Sequence, residues 1–237
     1  MKKKSILSGI LLMLAAICFW LGWSLIPDPG STDSLHILEM VAHARVQVTM
    51  SVFLQILSSV LYITSLFLLV SINFSKRRIL WGAICMGIGS MGLCADAFFH
   101  LLAVSMTQPG IAREAGILHA MEYMQTHGLA FLTPLLLPFL VGSFLLSGGL
   151  RKQALLSATP SVLMTLGLIL GPMASILMEK WLAYRGSAAA LITLGLFAGG
   201  HVAIGLELMT VTEKGPFQHL HRGYQVLNLE SLHNNSN

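Results

Sequence analysis

Charge is scarce in this chain. Asp, Glu, Lys and Arg supply 10% of its 237 residues while the apolar set supplies 55%, against roughly 25% charged residues in an average soluble domain. That shortage excludes an ordinary soluble protein, because one core cannot hide so much apolar surface. Cysteine is nearly as rare. Cys18, Cys85 and Cys94 all fall inside apolar runs. Cys85 and Cys94 would share one helix about 13 Å apart along its axis, too far to bridge, so buried, inert thiols are expected and a disulfide framework is excluded. Catalytic signatures are missing too: there is no His-Glu-x-x-His, Gly-x-Ser-x-Gly, Walker loop or Cys-x-x-Cys. These absences weigh against an enzyme, and an intramembrane metal hydrolase using Asp96 and His100 with cassette ligands is the one catalytic alternative left open.

In place of these stand apolar runs long enough for lipid. A membrane span needs about 20 mostly apolar residues. Six stretches qualify, at about 5–26, 48–72, 79–106, 129–148, 155–178 and 187–212. They predict an all-α, polytopic membrane helix bundle with six transmembrane helices over residues 1–212, followed by a flexible tail over 213–237. Met1-Lys2-Lys3-Lys4 before the first run resembles a secretory signal. The run is too long for a signal core and no small-x-small site follows it, so a retained first span is expected.

The few charges predict topology. With six alternating spans, Lys2, Lys3, Lys4, Lys76, Arg77, Arg78, Arg151, Lys152, Lys214 and Arg222 fall on one side. Only Arg45, Arg113, Lys180 and Arg185 fall on the other. The positive-inside rule then makes both termini cytoplasmic in a cell (inner) membrane. Trp20, Trp23, Trp181 and Tyr184 would sit near the outer boundary and Trp81 near the inner one, as an aromatic belt. The net charge of +4 is dispersed over short loops, which argues against a nucleic-acid partner. The expected surroundings are the bilayer, with a second copy or another membrane protein as partner.

A polar cassette recurs between spans. Leu35-His36-Ile37-Leu38-Glu39-Met40 follows Pro29-Gly30, and Leu118-His119-Ala120-Met121-Glu122-Tyr123 follows Pro109-Gly110. Each is followed by another His, at His43 and His127, by an apolar run and then by a basic loop. The shared order suggests a duplicated helical hairpin related by an axis along the membrane normal. Ser31, Thr32, Asp33 and Ser34 offer N-caps, and residues 34–47 read as an outward extension of the second span. At 100° per residue, His36, Glu39, His43 and Gln47 lie within about a quarter of the helix circumference. His119, Glu122, Thr126 and Ala130 form the matching stripe.

Polar residues also interrupt the spans. Cys85, Gly89, Gly92, Asp96 and His100 share a face of the third; its small residues would admit a neighbouring helix. Asp96 could hold the His100 ring four residues on. His201 follows Gly199-Gly200 in the sixth span, and Glu207 lies about 120° around that helix. Pro134 and Pro138 are expected to kink the fourth span, and Gly171-Pro172 to interrupt the fifth. His219 and His221 fall in the tail.

Intramembrane ionisable groups are expensive enough to suggest function. Imidazole and carboxylate together suit a transition metal, with His36, Glu39, His43, Asp96, His100, His119, Glu122 and His127 as candidate ligands. Two imidazoles could instead hold a b-type haem, from His43, His100, His127 and His201. A proton-coupled transporter or channel-like protein would use Asp96, His201 and Glu207 as polar steps. A structural or assembly partner is the remaining class, in which the cassettes are hydrated helix starts.

Finally, Pro27-Asp28-Pro29-Gly30-Ser31-Thr32-Asp33 with Leu35-His36 and the apolar run Val46 to Val70 loosely resembles small uncharacterised bacterial multi-span proteins. The resemblance covers the first two spans. It implies a bacterial inner-membrane location and no activity.

Overall fold

A computed structural model describes residues 2–29, 31, 33–72, 77–108, 115–182 and 187–211. The expected tail with His219 and His221, the Pro109-Gly110 turn, Arg113, Tyr184 and the loops bearing Lys76 and Arg185 lie outside the described residues.

All regular structure among the described residues is helical: α1 (Lys2–Ser24), α2 (Ser34–His43), α3 (Arg45–Ser71), α4 (Arg77–Met106), α5 (Ala115–Tyr123), a π-helical turn (Met124–Gly128), α6 (Leu129–Lys152), α7 (Thr159–Leu182) and α8 (Ser187–Val211). Five helices contain segments long and apolar enough to cross a membrane: Lys3–Ser24, Arg45–Ser71, Arg77–Met106, Ala130–Lys152 and Ala189–Thr210. The remaining long helix, α7, runs 24 residues and is apolar over Thr159–Met173. The chain is therefore a multi-pass helical membrane protein.

The long helices pack as hairpins, α1 with α3, α4 with α6 and α7 with α8, joined laterally through α1–α8 and α3–α4. Small side chains determine how close they come. On α3, Ser51, Ser58 and Ser65 donate to the carbonyls of Gly22, Ala15 and Ser8 at 2.7, 2.8 and 2.8 Å. Each step of seven residues along α3 matches a step of seven back along α1, the repeat of left-handed helix packing. This spacing holds the hairpin in register without a charged group. Between α4 and α6 the device is glycine: a Cβ on Gly89 would stand 2.3 Å from the backbone nitrogen of Phe139, and one on Gly142 2.4 Å from that of Met86. Gly92 likewise lies against Leu135, so the expected small-residue face of α4 receives α6.

Two local expectations are corrected. Residues 34–47 do not extend α3 as one helix, because the chain leaves helical geometry at Ala44 (φ −117°, ψ 27°). The break lets the apolar side of α2 fold over the bundle end, where Ile37, Leu38 and Val41 pack with Val48, Ala103, Val104 and Met121. Gly171-Pro172 does not interrupt α7. Gly171 instead makes room for Thr193 of α8, whose hydroxyl would overlap any Cβ there. Pro134 and Pro138 lie inside α6, and a π turn precedes that helix.

Each of the first two hairpins thus encloses a short helix at the same end of the bundle, α2 in one and α5 in the other. They differ in how they rejoin the long helices, one through the Ala44 break and the other through the π turn.

Candidate functional site

The two short helices roof a cavity of about 110 Å³. Its walls come from nearly every element at this end: Trp23 of α1, Asp28 in the following turn, Val48 of α3, Asp96, Phe99 and His100 of α4, and Leu132 of α6. The roof comprises Ile37 and Val41 of α2, Met121 of α5, and Met124 and Gln125 of the π turn. Among the described residues the lining carries two carboxyl side chains, Asp28 and Asp96, and neither Lys nor Arg.

Three polar atoms of these lining residues are shielded and have no hydrogen-bond partner: Asp96 Oδ2, His100 Nε2 and Trp23 Nε1. Asp96 is 8% exposed. Its Oδ2 stands 3.6 Å from His100 Nε2, just beyond hydrogen-bond reach. The indole of Trp23 meets the His100 ring edge-on, with centroids 5.8 Å apart and planes at 90°. Buried polar groups are nearly always paired, since an unmade bond costs about 1–3 kcal/mol. All three belong to residues that line the cavity, and two of them, Asp96 Oδ2 and His100 Nε2, face one another. The fourth such atom among the described residues, Arg45 Nε, belongs to a guanidinium that donates from Nη2 to the Thr107 carbonyl.

The cassettes contribute to this chamber by their apolar sides. Glu39 and His43 are exposed, as are His119, Glu122, Thr126 and His127. Asp33 caps α2, accepting from the Leu35 and His36 amides. His36 turns back to Asp28, Nε2 to Oδ2 3.1 Å. His43 Nδ1 donates to the Glu39 carbonyl at 2.7 Å. His119 and Glu122 face each other at 4.0 Å on the surface, and His127 stacks on Tyr123 at 4.2 Å. The eight candidate metal ligands are thus dispersed. Among the described residues, no three His, Cys, Asp or Glu side chains stand close enough to hold a metal ion.

His201 lies elsewhere, fully buried in the bundle. Its Nε2 is 3.0 Å from Ser143 Oγ and its Nδ1 3.4 Å from the Tyr62 hydroxyl. The rings of Tyr62, Phe139 and Phe197 surround it at 5.3, 5.6 and 4.9 Å. Both ring nitrogens are engaged, which leaves neither free to face a haem iron. Glu207 is committed as well. Its carboxylate accepts from the Ser157 amide and, at 2.6 Å, from the Ser157 hydroxyl, tying α8 to the start of α7. Neither His201 nor Glu207 lines the chamber that holds Asp96.

Trp23 and Asp28 were not among the sequence candidates. The run Pro27-Asp28-Pro29 signals a turn, but the indole of Trp23 carries no mark distinguishing it from an interfacial anchor. No family model matches this chain, and comparison with curated proteins and with solved structures returns no match.

Proposed function

We propose that this protein is a small-ligand binding protein of the cell membrane, both termini cytoplasmic, whose chamber at the outer end holds a polar guest against Asp96 and His100. The observation that carries this reading is that three residues with an unpartnered, shielded polar atom line one roofed cavity. Orientation rests on the bias of Lys and Arg toward the opposite end. The chamber is largely apolar with a few directed polar groups, the usual make-up of a ligand site.

A binding role accounts for the buried carboxylate better than a polar pathway through the bundle. His201 and Glu207 already have hydrogen-bond partners in the protein, whereas Asp96 Oδ2 has only His100 Nε2 3.6 Å away. Transition-metal or haem binding would need ligands beyond the Asp96–His100 pair.

A thermal-unfolding screen of the full chain against small cationic, neutral and anionic solutes tests the reading. At least one class should raise the midpoint of the native chain and leave Asp96→Leu unmoved. If no class does so, the chamber is structural and the reading falls. Metal analysis and an absorption spectrum provide a second check. Stoichiometric metal or a Soret band, lost in His100→Ala, would replace a small-molecule guest with a metal or haem.

A further inference from the structure

The end of the bundle opposite the chamber carries its cations unevenly. Arg77 and Arg78 begin α4, Arg151 and Lys152 end α6, and all four are exposed. The two helices meet there. Gly89 lies against Phe139 and Met86 against Gly142, and the same antiparallel register brings Gly149 to Arg78 and Ile79. A Cβ on Gly149 would stand 3.3 Å from the Ile79 nitrogen and 3.5 Å from the Arg78 carbonyl carbon. Continued by two residues, that register sets Arg77 opposite Arg151. The Arg78 guanidinium leans over α6, its Cζ 3.6 Å from the place of a Cβ on Gly148. Like charges gathered at one edge repel, and no ion pair among the described residues offsets these four. The described acid at this end, Glu207, is engaged with Ser157.

A second feature lies below Arg77. At 100° per residue, Arg77, Trp81, Ile84 and Ile88 fall within about 60° of arc on α4. Trp81, Ile84 and Ile88 are 58%, 41% and 43% exposed. Arg77 and Lys152 are the terminal residues of apolar spans, so they stand at headgroup level. The α4 face thus passes from cation through indole to aliphatic side chains as it descends. A phospholipid with a net negative headgroup has the complementary order.

We propose that the α4–α6 edge is a docking surface for an anionic phospholipid. Its phosphate lies among Arg77, Arg78, Arg151 and Lys152, and an acyl chain runs along Trp81, Ile84 and Ile88. Charge complementarity selects the headgroup, because a zwitterionic lipid brings a cation of its own to an already cationic edge. The surface is local. Lys3 and Lys4 are exposed at the same end, but Ser5 Oγ donates to the Leu208 carbonyl at 3.1 Å, which places them beside α8. Helix α3 separates α1 from α4. This proposal is independent of the chamber and of which leaflet this end meets.

Trp81 is a reporter at the site. The test is quenching of tryptophan emission by phosphatidylglycerol or phosphatidylcholine with brominated chains, in nanodiscs holding the full chain. The Trp81 signal is the difference between the native chain and Trp81→Phe. Phosphatidylglycerol should be preferred about tenfold at Trp81. The double variant Arg77→Gln, Arg151→Gln should reduce that preference about fivefold or more. Lys3→Gln with Lys4→Gln, which removes the same charge beside α8, should retain it. High salt should lower it, since exposed charges are screened.

Equal quenching of Trp81 by the two lipids would overturn the proposal, as would a preference that survives in the arginine double variant. An equal loss in the lysine double variant would show general attraction to the whole end, and the docking surface falls. A preference abolished by inorganic phosphate at matched ionic strength would assign the cations to a soluble phosphate group in place of a lipid.

Discussion

His100 and His201 are both intramembrane histidines on apolar helices, yet their surroundings are opposite. His201 has Ser143 on one nitrogen, the Tyr62 hydroxyl on the other and aromatic rings around it. His100 has an edge-on indole, a carboxylate just out of bonding range and an open cavity beside it. The first fits a group that holds helices together. The second fits a group kept ready for something else. Burial alone does not separate such residues; the state of their hydrogen bonds does.

Four substitutions sharpen or break that contrast. The largest effect belongs to His201→Ala, which should cost about 3 kcal/mol by opening a void and stranding the Tyr62 and Ser143 hydroxyls. A thermal-unfolding midpoint that stays put would remove the distinction between the two histidines. Gly89→Val comes next, at about 2 kcal/mol, since its side chain would collide with the backbone of Phe139. Because Phe139 also borders His201, fluorescence or cysteine labelling should report disturbance at both regions together. Asp96→Leu should behave in the opposite sense to His201→Ala. Replacing a buried, unpartnered carboxylate with an apolar side chain should leave stability unchanged or raise it by up to about 1 kcal/mol. A marked loss would mean that Asp96 is structural after all. Ser58→Ala is the smallest, about 0.6 kcal/mol for one interhelical hydrogen bond at membrane depth, measured by steric-trap or detergent unfolding.

The long helices were legible because a span is set by the length of an apolar run, and α3, α4 and α8 begin and end within a few residues of expectation. The break between α2 and α3 was not, since Ala44 is a good helix former and the turn there is imposed by packing of Ile37, Leu38 and Val41. The stripe of His36, Glu39 and His43 is a real face of the chain, but polarity suggested that it pointed toward a site. The apolar residues opposite it line the chamber, as the rule for amphipathic helices requires. Asp96 and His100 were visible as a pair at helical spacing. What could not be read was their relation to Trp23, which depends on α1 and α4 meeting at one end. The serine register was also present in the sequence, as seven-residue spacing at 51, 58 and 65, and was hidden by the chain's apolar character.

That register has a mechanical consequence. Successive rungs lie about 10 Å apart along the axis, and a slip of α1 past α3 by less than a rung would leave serine hydroxyls and their carbonyl partners mismatched. The pair behaves as a ratchet with one tooth engaged, so it is poorly suited to serve as a door. The Met124–Gly128 π turn, where Gly128 rests against the Phe99 ring, stands outside this locked pair.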